Sequence, residues 1–114
     1  MAAEDVASRG CLDGLLLDPP ELTDAEMAAI GKALGHPVRI AILELFHVHC
    51  PRTVGGIVSE LPLAQSTVSK HLAILRDAGL VRTIREESRT WHCLNRSVIT
   101  GFGDQVIELA RRAD

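Results

Sequence analysis

The chain has 114 residues, of which 46% are apolar and 24% charged, and its net charge is −3 at pH 7. Such a composition predicts one globular domain, with a core too small to divide in two. No run of 18 apolar residues exists to span a bilayer, and the N-terminus lacks the basic start of a secretory signal. We therefore expect a cytoplasmic protein without membrane contact.

The charge is unevenly distributed along the chain. Residues 1–30 hold seven acids against one arginine, whereas residues 64–96 hold six basic residues against three acids. Because the attraction of phosphates is local and screened over about 10 Å, a basic face can bind DNA on a protein that is acidic elsewhere. If the charged residues served only to keep the surface solvated, we would not expect acidic and basic residues to be concentrated in different parts of the chain.

The first part of the chain divides into an arm and three helices. Residues 1–22 are predicted to be a flexible acidic arm, and residues 23–114 the folded domain. Thr23, with Glu26 three residues later, predicts a capping box that opens a helix over 24–34. An apolar core helix is predicted over 37–46 and, after a loop, Thr53 is expected to cap a third helix over 54–61.

The stretch AQSTVSKHLAILRDAGLV, residues 64–81, predicts a helix with two unlike faces. Val68, Leu72 and Leu75 recur at helical spacing, while short polar side chains and one cation crowd the first two turns. Such an end suits the major groove, where it can meet base edges and the nearby backbone. The residues expected to do so are Gln65, Ser66, Thr67, Ser69 and Lys70. An ordinary amphipathic surface helix is the alternative for this stretch alone.

Two short strands, predicted over 80–84 and 90–94, follow this helix and form a hairpin around residues 85–89. Its arginines, Arg82, Arg85 and Arg89, are expected to contact DNA phosphates. A helix-turn-helix followed by a basic hairpin indicates a winged helix, so the fold class is mainly α with a small β-hairpin. Ser97 is expected to cap a last helix reaching Arg112. The apolar residues of that helix need a surface to cover, which favours a homodimer.

Two segments carry a family resemblance. ALGHPVRIAIL resembles the ALGDPVRLRIL of the ArsR/SmtB family of bacterial metal-responsive repressors, and LAQSTVSKHLAILRDAGLV resembles its LSQPTVSHHLKVLREAGLV. The resemblance implies a homodimer joined by the first and last helices, bound to double-stranded operator DNA of imperfect two-fold symmetry. On sequence resemblance alone, the chain is also similar to the nickel-responsive actinobacterial members of the family that control superoxide dismutase genes.

The chain departs from the family pattern in four places. Ala64 stands where the family has a helix-capping Ser, and the wing tip reads Glu86-Glu87-Ser88 instead of Glu-Gly-Arg, which displaces the arginine to Arg89. The paired cysteines of arsenic- and cadmium-sensing members are absent from VSELPL, and the last helix lacks the histidines of the zinc-sensing members.

The densest group of metal donors is His47, His49 and Cys50, in the loop expected after the core helix. Imidazole and thiolate together suit nickel or zinc, and Cys11 in the arm could complete such a site. The alternative is an exposed loop with a partly buried free cysteine. Because some arsenic-sensing members place cysteines close to Cys11 and Cys50, an arsenite site is the rival ligand hypothesis.

The remaining candidates concern thiols. Three cysteines that are odd in number and far apart argue against a disulfide framework, so we expect free thiols. His92 and Cys93, as neighbours on a strand, should point to opposite faces and act mainly in packing. A thiol redox switch at Cys11 or Cys50 is an alternative regulator, and a winged helix that binds only protein is a further one. No catalytic motif is present, so an enzyme is not expected.

Overall fold

The computed structural model describes residues 18–48 and 50–112, and the predicted order of elements is confirmed. In the part of the chain that it describes, five helices surround one two-stranded antiparallel hairpin. The helices are α1 Asp24–Leu34, α2 Pro37–Val48, α3 Val54–Val58, α4 Gln65–Asp77 and α5 Arg96–Arg111, and the strands are β1 Val81–Glu86 and β2 Arg89–Leu94. Within the described ranges, no helix is long and apolar enough to cross a membrane.

Local signals place most of the helix ends. The Thr23 hydroxyl accepts from the Glu26 N–H, and the Glu26 carboxylate accepts from the Thr23 N–H, so the capping box is confirmed. Thr53 caps α3 in the predicted way, through the Gly56 N–H at 3.1 Å. Gly79 ends the α4 segment with φ of 85°, a left-handed conformation that glycine adopts without strain.

Three boundaries differ from the sequence prediction. α2 continues to Val48, so His47 lies on a helix and not in the expected loop. α3 stops at Val58, because its two glycines make a longer helix intrinsically weak. Ser97 is not the cap of α5: the helix begins at Arg96, and the Ser97 hydroxyl instead donates to the Asn95 side chain at 3.1 Å.

The core lies where α2 and α4 cross beneath the hairpin. Val68, Leu72 and Leu75 are buried, which confirms the apolar stripe predicted for α4. This stripe packs against Phe46 and Ile42 of α2, in a single cluster that also includes residues of α1 and α3. Burial of each such side chain contributes roughly 1.5–3 kcal/mol, so this cluster fixes the orientation of α4.

The hairpin turns through two residues, Glu87 and Ser88, rather than through the five expected. Glu87 has φ of 52°, a conformation that is strained for any side chain other than glycine. Val81 pairs with Leu94 at the base of the hairpin, and Arg52 adds one bridge to His92 at its edge.

The segment before α1 lies along α5. The Gln105 side chain accepts from the Leu22 N–H at 2.8 Å and donates to the Leu22 carbonyl at 3.0 Å. Pro20 lies so close to Gly101 that an added Cβ would come within 2.8 Å of the Pro20 carbonyl oxygen. A residue with any side chain at position 101 would therefore displace this segment.

Candidate nucleic-acid interface

The N-terminal end of α4 presents its polar side chains to solvent. Gln65, Ser66, Ser69 and Lys70 are exposed, and Thr67 is half-buried. The apolar stripe on the opposite face holds the helix, so this polar end is fixed without being covered. The geometry satisfies the main requirement of a helix that enters a DNA groove.

No side chain caps this helix end. Ala64 has the extended conformation of an N-cap residue, with φ of −68° and ψ of 149°, but forms no side-chain cap bond. Its carbonyl accepts from the N–H groups of Thr67 and Val68, both at 3.1 Å. An uncapped helix N-terminus carries partial positive charge and free N–H donors, which favour a phosphate.

The hairpin carries the arginines expected near phosphates. Arg85 and Arg89 are exposed, and Arg82 is half-buried. Arg82 pairs with Cys93 across the strands and so shares its face with Arg89, whose guanidinium lies 5.9 Å from the centre of the Trp91 ring. Arg85 lies on the other face, so the wing is basic on both sides.

A buried arginine joins α4 to the helices behind it. Arg39 of α2 donates to the carbonyl of Ala33 and, at 3.2 Å, to that of Lys32, both at the end of α1. Its third bond is to Nδ1 of His71 in α4, at 3.3 Å. Burial, the nearby His36 and Arg39 all lower the pKa of His71, which keeps the ring neutral and able to accept. The sequence reading of His71 as a structural hydrogen-bonding residue is confirmed.

An apolar stripe on α5 is left exposed by the single chain. Val106, Ile107 and Leu109 are 43–63% exposed. Towards the start of the helix, Ile99 and Phe102 continue this surface into an apolar cavity of about 360 Å³ that Ile40, Leu43 and the base of the hairpin also line. An exposed apolar surface of this kind marks a protein interface.

Comparisons with known proteins agree with this geometry. A helix-turn-helix domain family matches residues 34–84. A transcriptional regulator of Methanocaldococcus jannaschii is 42% identical over 65 residues, 57% of this chain and 71% of that protein. The transcriptional activator HlyU of Vibrio cholerae is 32% identical over 84% of each chain, and one of its structures aligns with a TM-score of 0.60 at 33% identity, covering 82% of this chain and 96% of that one.

The fold also matches a homodimeric winged helix-turn-helix domain of Mycobacterium bovis, a possible ArsR-family regulator, with a TM-score of 0.62, 24% identity and coverage of 83% of this chain and 94% of that one. The chain belongs to the helix-turn-helix transcriptional regulators. The prediction of a DNA-binding regulator, not an enzyme, is thereby confirmed, and the winged helix that binds only protein is disfavoured.

The predicted metal donors of this regulator are only partly described. His47 lies exposed in the last turn of α2, and Cys50 is a half-buried thiol two residues after the helix end. His49 and Cys11 lie outside the described residues. Burial raises the pKa of Cys50, while the Leu94 backbone and the charges of Arg96 and Arg52 oppose this shift. Among residues 18–48 and 50–112, no three donors of the histidine, cysteine or carboxylate type come together.

The expectation of free thiols is wrong for Cys93, which is disulfide-bonded. The prediction that Cys93 and His92 point to opposite faces of the hairpin is confirmed, because Cys93 pairs with Arg82 and His92 pairs with Thr83 on the other face. This bond could not be predicted from the sequence, because the spacing of three cysteines does not specify a pairing. The role of Arg39 was missed too, although a lone cation within an apolar helix is a usable signal.

Proposed function

We propose that this regulator binds, as a homodimer, an operator of two-fold pseudo-symmetry in the cytoplasm. The exposed polar end of α4, held in place by its buried stripe, is the observation that supports this function most strongly. In the proposal, Gln65, Ser66, Thr67 and Ser69 meet base edges and the near backbone, whereas Lys70, Arg82, Arg85 and Arg89 meet phosphates. Two such helices would read half-sites about 34 Å apart.

The experiment is selection of a duplex from a random library, followed by titration at several salt concentrations. The affinity should fall steeply with salt, by about 0.9 log units per log unit of salt for each phosphate contact. Arg85→Ala should weaken binding to all sequences and reduce that slope by about one, while Gln65→Ala should relax sequence preference. Arg111→Ala, at the far end of α5, is the matched control. Binding without a salt slope would contradict the proposal.

We further propose that a transition metal, nickel or zinc before arsenite, modulates operator affinity through the region of His47, His49 and Cys50, with Cys11 as a possible fourth donor. The closeness of His47 and Cys50 in sequence at the end of α2 supports this site, and both are soft or borderline donors. A complete site needs donors beyond the described residues. Arsenite is the second candidate ligand, because thiolates are soft donors and Cys50 lies in this region.

Operator affinity should therefore change by about 5-fold to 150-fold when the right ion is added, which corresponds to a coupling of about 1–3 kcal/mol. The assay is a titration of the operator complex with nickel, zinc or arsenite. His47→Ala and Cys50→Ala should abolish the response, while Ser59→Ala should leave it unchanged. A response that survives both variants would place the sensor elsewhere.

A further inference from the structure

Two histidine rings and one buried arginine meet where α1, α2 and α4 come together. The rings of His36, in the turn between α1 and α2, and of His71 in α4 lie 4.6 Å apart between their centroids. Arg39, only 9% exposed, bonds to His71 on one side and to the last carbonyls of α1 on the other. We call these three side chains the histidine cluster. It contains none of the residues proposed above to contact DNA or metal.

The hydrogen bonds of the histidine cluster require both rings to accept at Nδ1. The backbone N–H of Val38 donates to Nδ1 of His36 at 3.1 Å, and the Arg39 guanidinium lies 3.3 Å from Nδ1 of His71. A backbone N–H and a guanidinium can only donate, and an imidazole nitrogen accepts only while it carries no proton. A proton on either Nδ1 therefore breaks one of these bonds and adds a positive charge beside Arg39.

The ionisable groups of the helices packed against α4 give His71 no carboxylate partner among the residues that the structure describes. The acids of α1 lie in its first turn, far from the cluster, and Lys32 is the ionisable residue of its last turn. Glu44 of α2 lines the cavity beside α5. α3 contains no ionisable residue, β1 starts beyond the C-terminal end of α4, and the residue before His71 is the cation Lys70. A proton on His71 is therefore opposed by its surroundings and not stabilised by them.

We propose that the histidine cluster makes operator binding sensitive to acid, because protons taken up by His71 and His36 release α4 from Arg39 and reorient its polar end. This inference rests on the proposed DNA-binding function. Gln65 lies six residues before His71, about 9 Å along the helix axis, so a tilt at His71 moves the polar end. The buried stripe still holds the released helix on the core, which is why α4 is reoriented and not detached. Hydrogen bonds to base edges weaken steeply with misalignment, so operator affinity falls.

The direction of the effect follows from the pKa of His71. Burial, His36 and Arg39 lower this pKa in the docked helix, whereas a released histidine titrates near its usual pKa of about 6.5. The released form therefore binds more protons than the docked form, and acid favours it. Operator affinity is retained above about pH 6.5 and falls below it, by up to about tenfold per pH unit for each proton. Ordinary electrostatics act in the opposite direction, because acidification makes the protein less negative and strengthens its attraction to phosphates.

The test measures the affinity of the full-length protein for the selected duplex by fluorescence anisotropy, at constant ionic strength, from about pH 7.5 to about pH 5.5. Affinity should fall by at least about 5-fold over this range, while the helix content in circular dichroism stays constant. His71→Asn places an amide oxygen near the position of Nδ1 but does not titrate, so its affinity should stay nearly constant with pH. His36→Asn, which can still cap α2, should reduce the fall in affinity.

His92→Gln is the matched control, because it removes another histidine whose pKa burial lowers, outside the cluster, and it should leave the acid sensitivity of operator binding in place. If His71→Asn fails to fold, NMR titration of the unaltered protein takes its place: the His71 ring should take up its proton below about pH 6.5, together with shifts in the backbone amides of residues 65–70.

Three results would overturn the proposal. They are an affinity that stays constant or rises on acidification, a fall that only accompanies loss of helix content, and protonation of His71 that leaves the amides of residues 65–70 unchanged. Failure to bind any duplex at any pH would instead contradict the proposed DNA-binding function.

Discussion

Ala64→Ser should stabilise the fold, because it supplies the cap that α4 lacks. Ala64 already has the extended backbone of an N-cap residue, so a serine there needs no rearrangement to accept from the N–H of Ser66 or Thr67. A serine or threonine cap is typically worth about 1 kcal/mol relative to alanine. In a domain of this size, that raises Tm by roughly 4 °C.

The chain offers a matched comparison in α3. The Thr53 hydroxyl accepts from the Gly56 N–H at 3.1 Å, so Thr53→Ala removes a cap of the kind that Ala64→Ser adds. The two variants should shift the free energy of unfolding by about 1 kcal/mol in opposite directions. Urea denaturation at one fixed protein concentration measures both, because dimerisation makes apparent stability depend on concentration. If Thr53→Ala costs stability while Ala64→Ser changes nothing, the orphan N–H groups of α4 already have partners, and the reasoning fails.

Three further predictions follow from the wing, α5 and a buried histidine. Glu87→Gly should stabilise the protein by up to about 1 kcal/mol in urea denaturation, since it relieves the left-handed φ, whereas Ser88→Gly should not. Val106→Asp should yield monomers in sedimentation with unchanged helix content, while Glu108→Gln should remain dimeric. Burial lowers the pKa of His92, so the unfolded chain binds more protons below about pH 6.5, and stability should decrease from pH 7.5 to 5.5. His92→Gln should flatten that dependence, and an unchanged pH profile would assign the effect to another group.

The sequence predicted the elements whose signals are local. A capping box, a cap at Thr53 and a glycine at position 79 are read from a few neighbouring residues, and the structure has all three. The hairpin was shortened in the prediction because Arg85 and Glu86 look like loop residues, yet they alternate across a strand whose tip needs only two residues. When both faces of a strand carry arginine, the alternation of apolar and polar residues by which a strand is recognised is lost.

In the candidate site, too, the features that depend on neighbouring residues could be predicted, and those that depend on tertiary packing could not. The polar end of α4 could be predicted because it depends on one helix with a buried stripe, and its residues are presented as expected. The disulfide of Cys93 could not, because three cysteines do not specify a pairing, and neither could the bond from Arg39 to His71, which lies 32 residues further along the chain. Only tertiary packing decides which distant groups meet.

The hydrogen bonds of Arg39 couple α1 to α4, the helix that is proposed to enter the DNA groove. α5 carries the exposed apolar stripe, and α1 begins beside it, so in the proposed homodimer a partner subunit would contact both helices. Arg39 binds the last carbonyls of α1 and, through His71, the middle of α4. Because charged donors to helix carbonyls are worth about 1.5–3 kcal/mol, α1 and α4 move as one body at little cost, and separately only at considerable cost. In the proposed homodimer, a shift of α1 against the partner subunit would therefore change the spacing of the two α4 helices, and with it the fit to half-sites one helical turn apart.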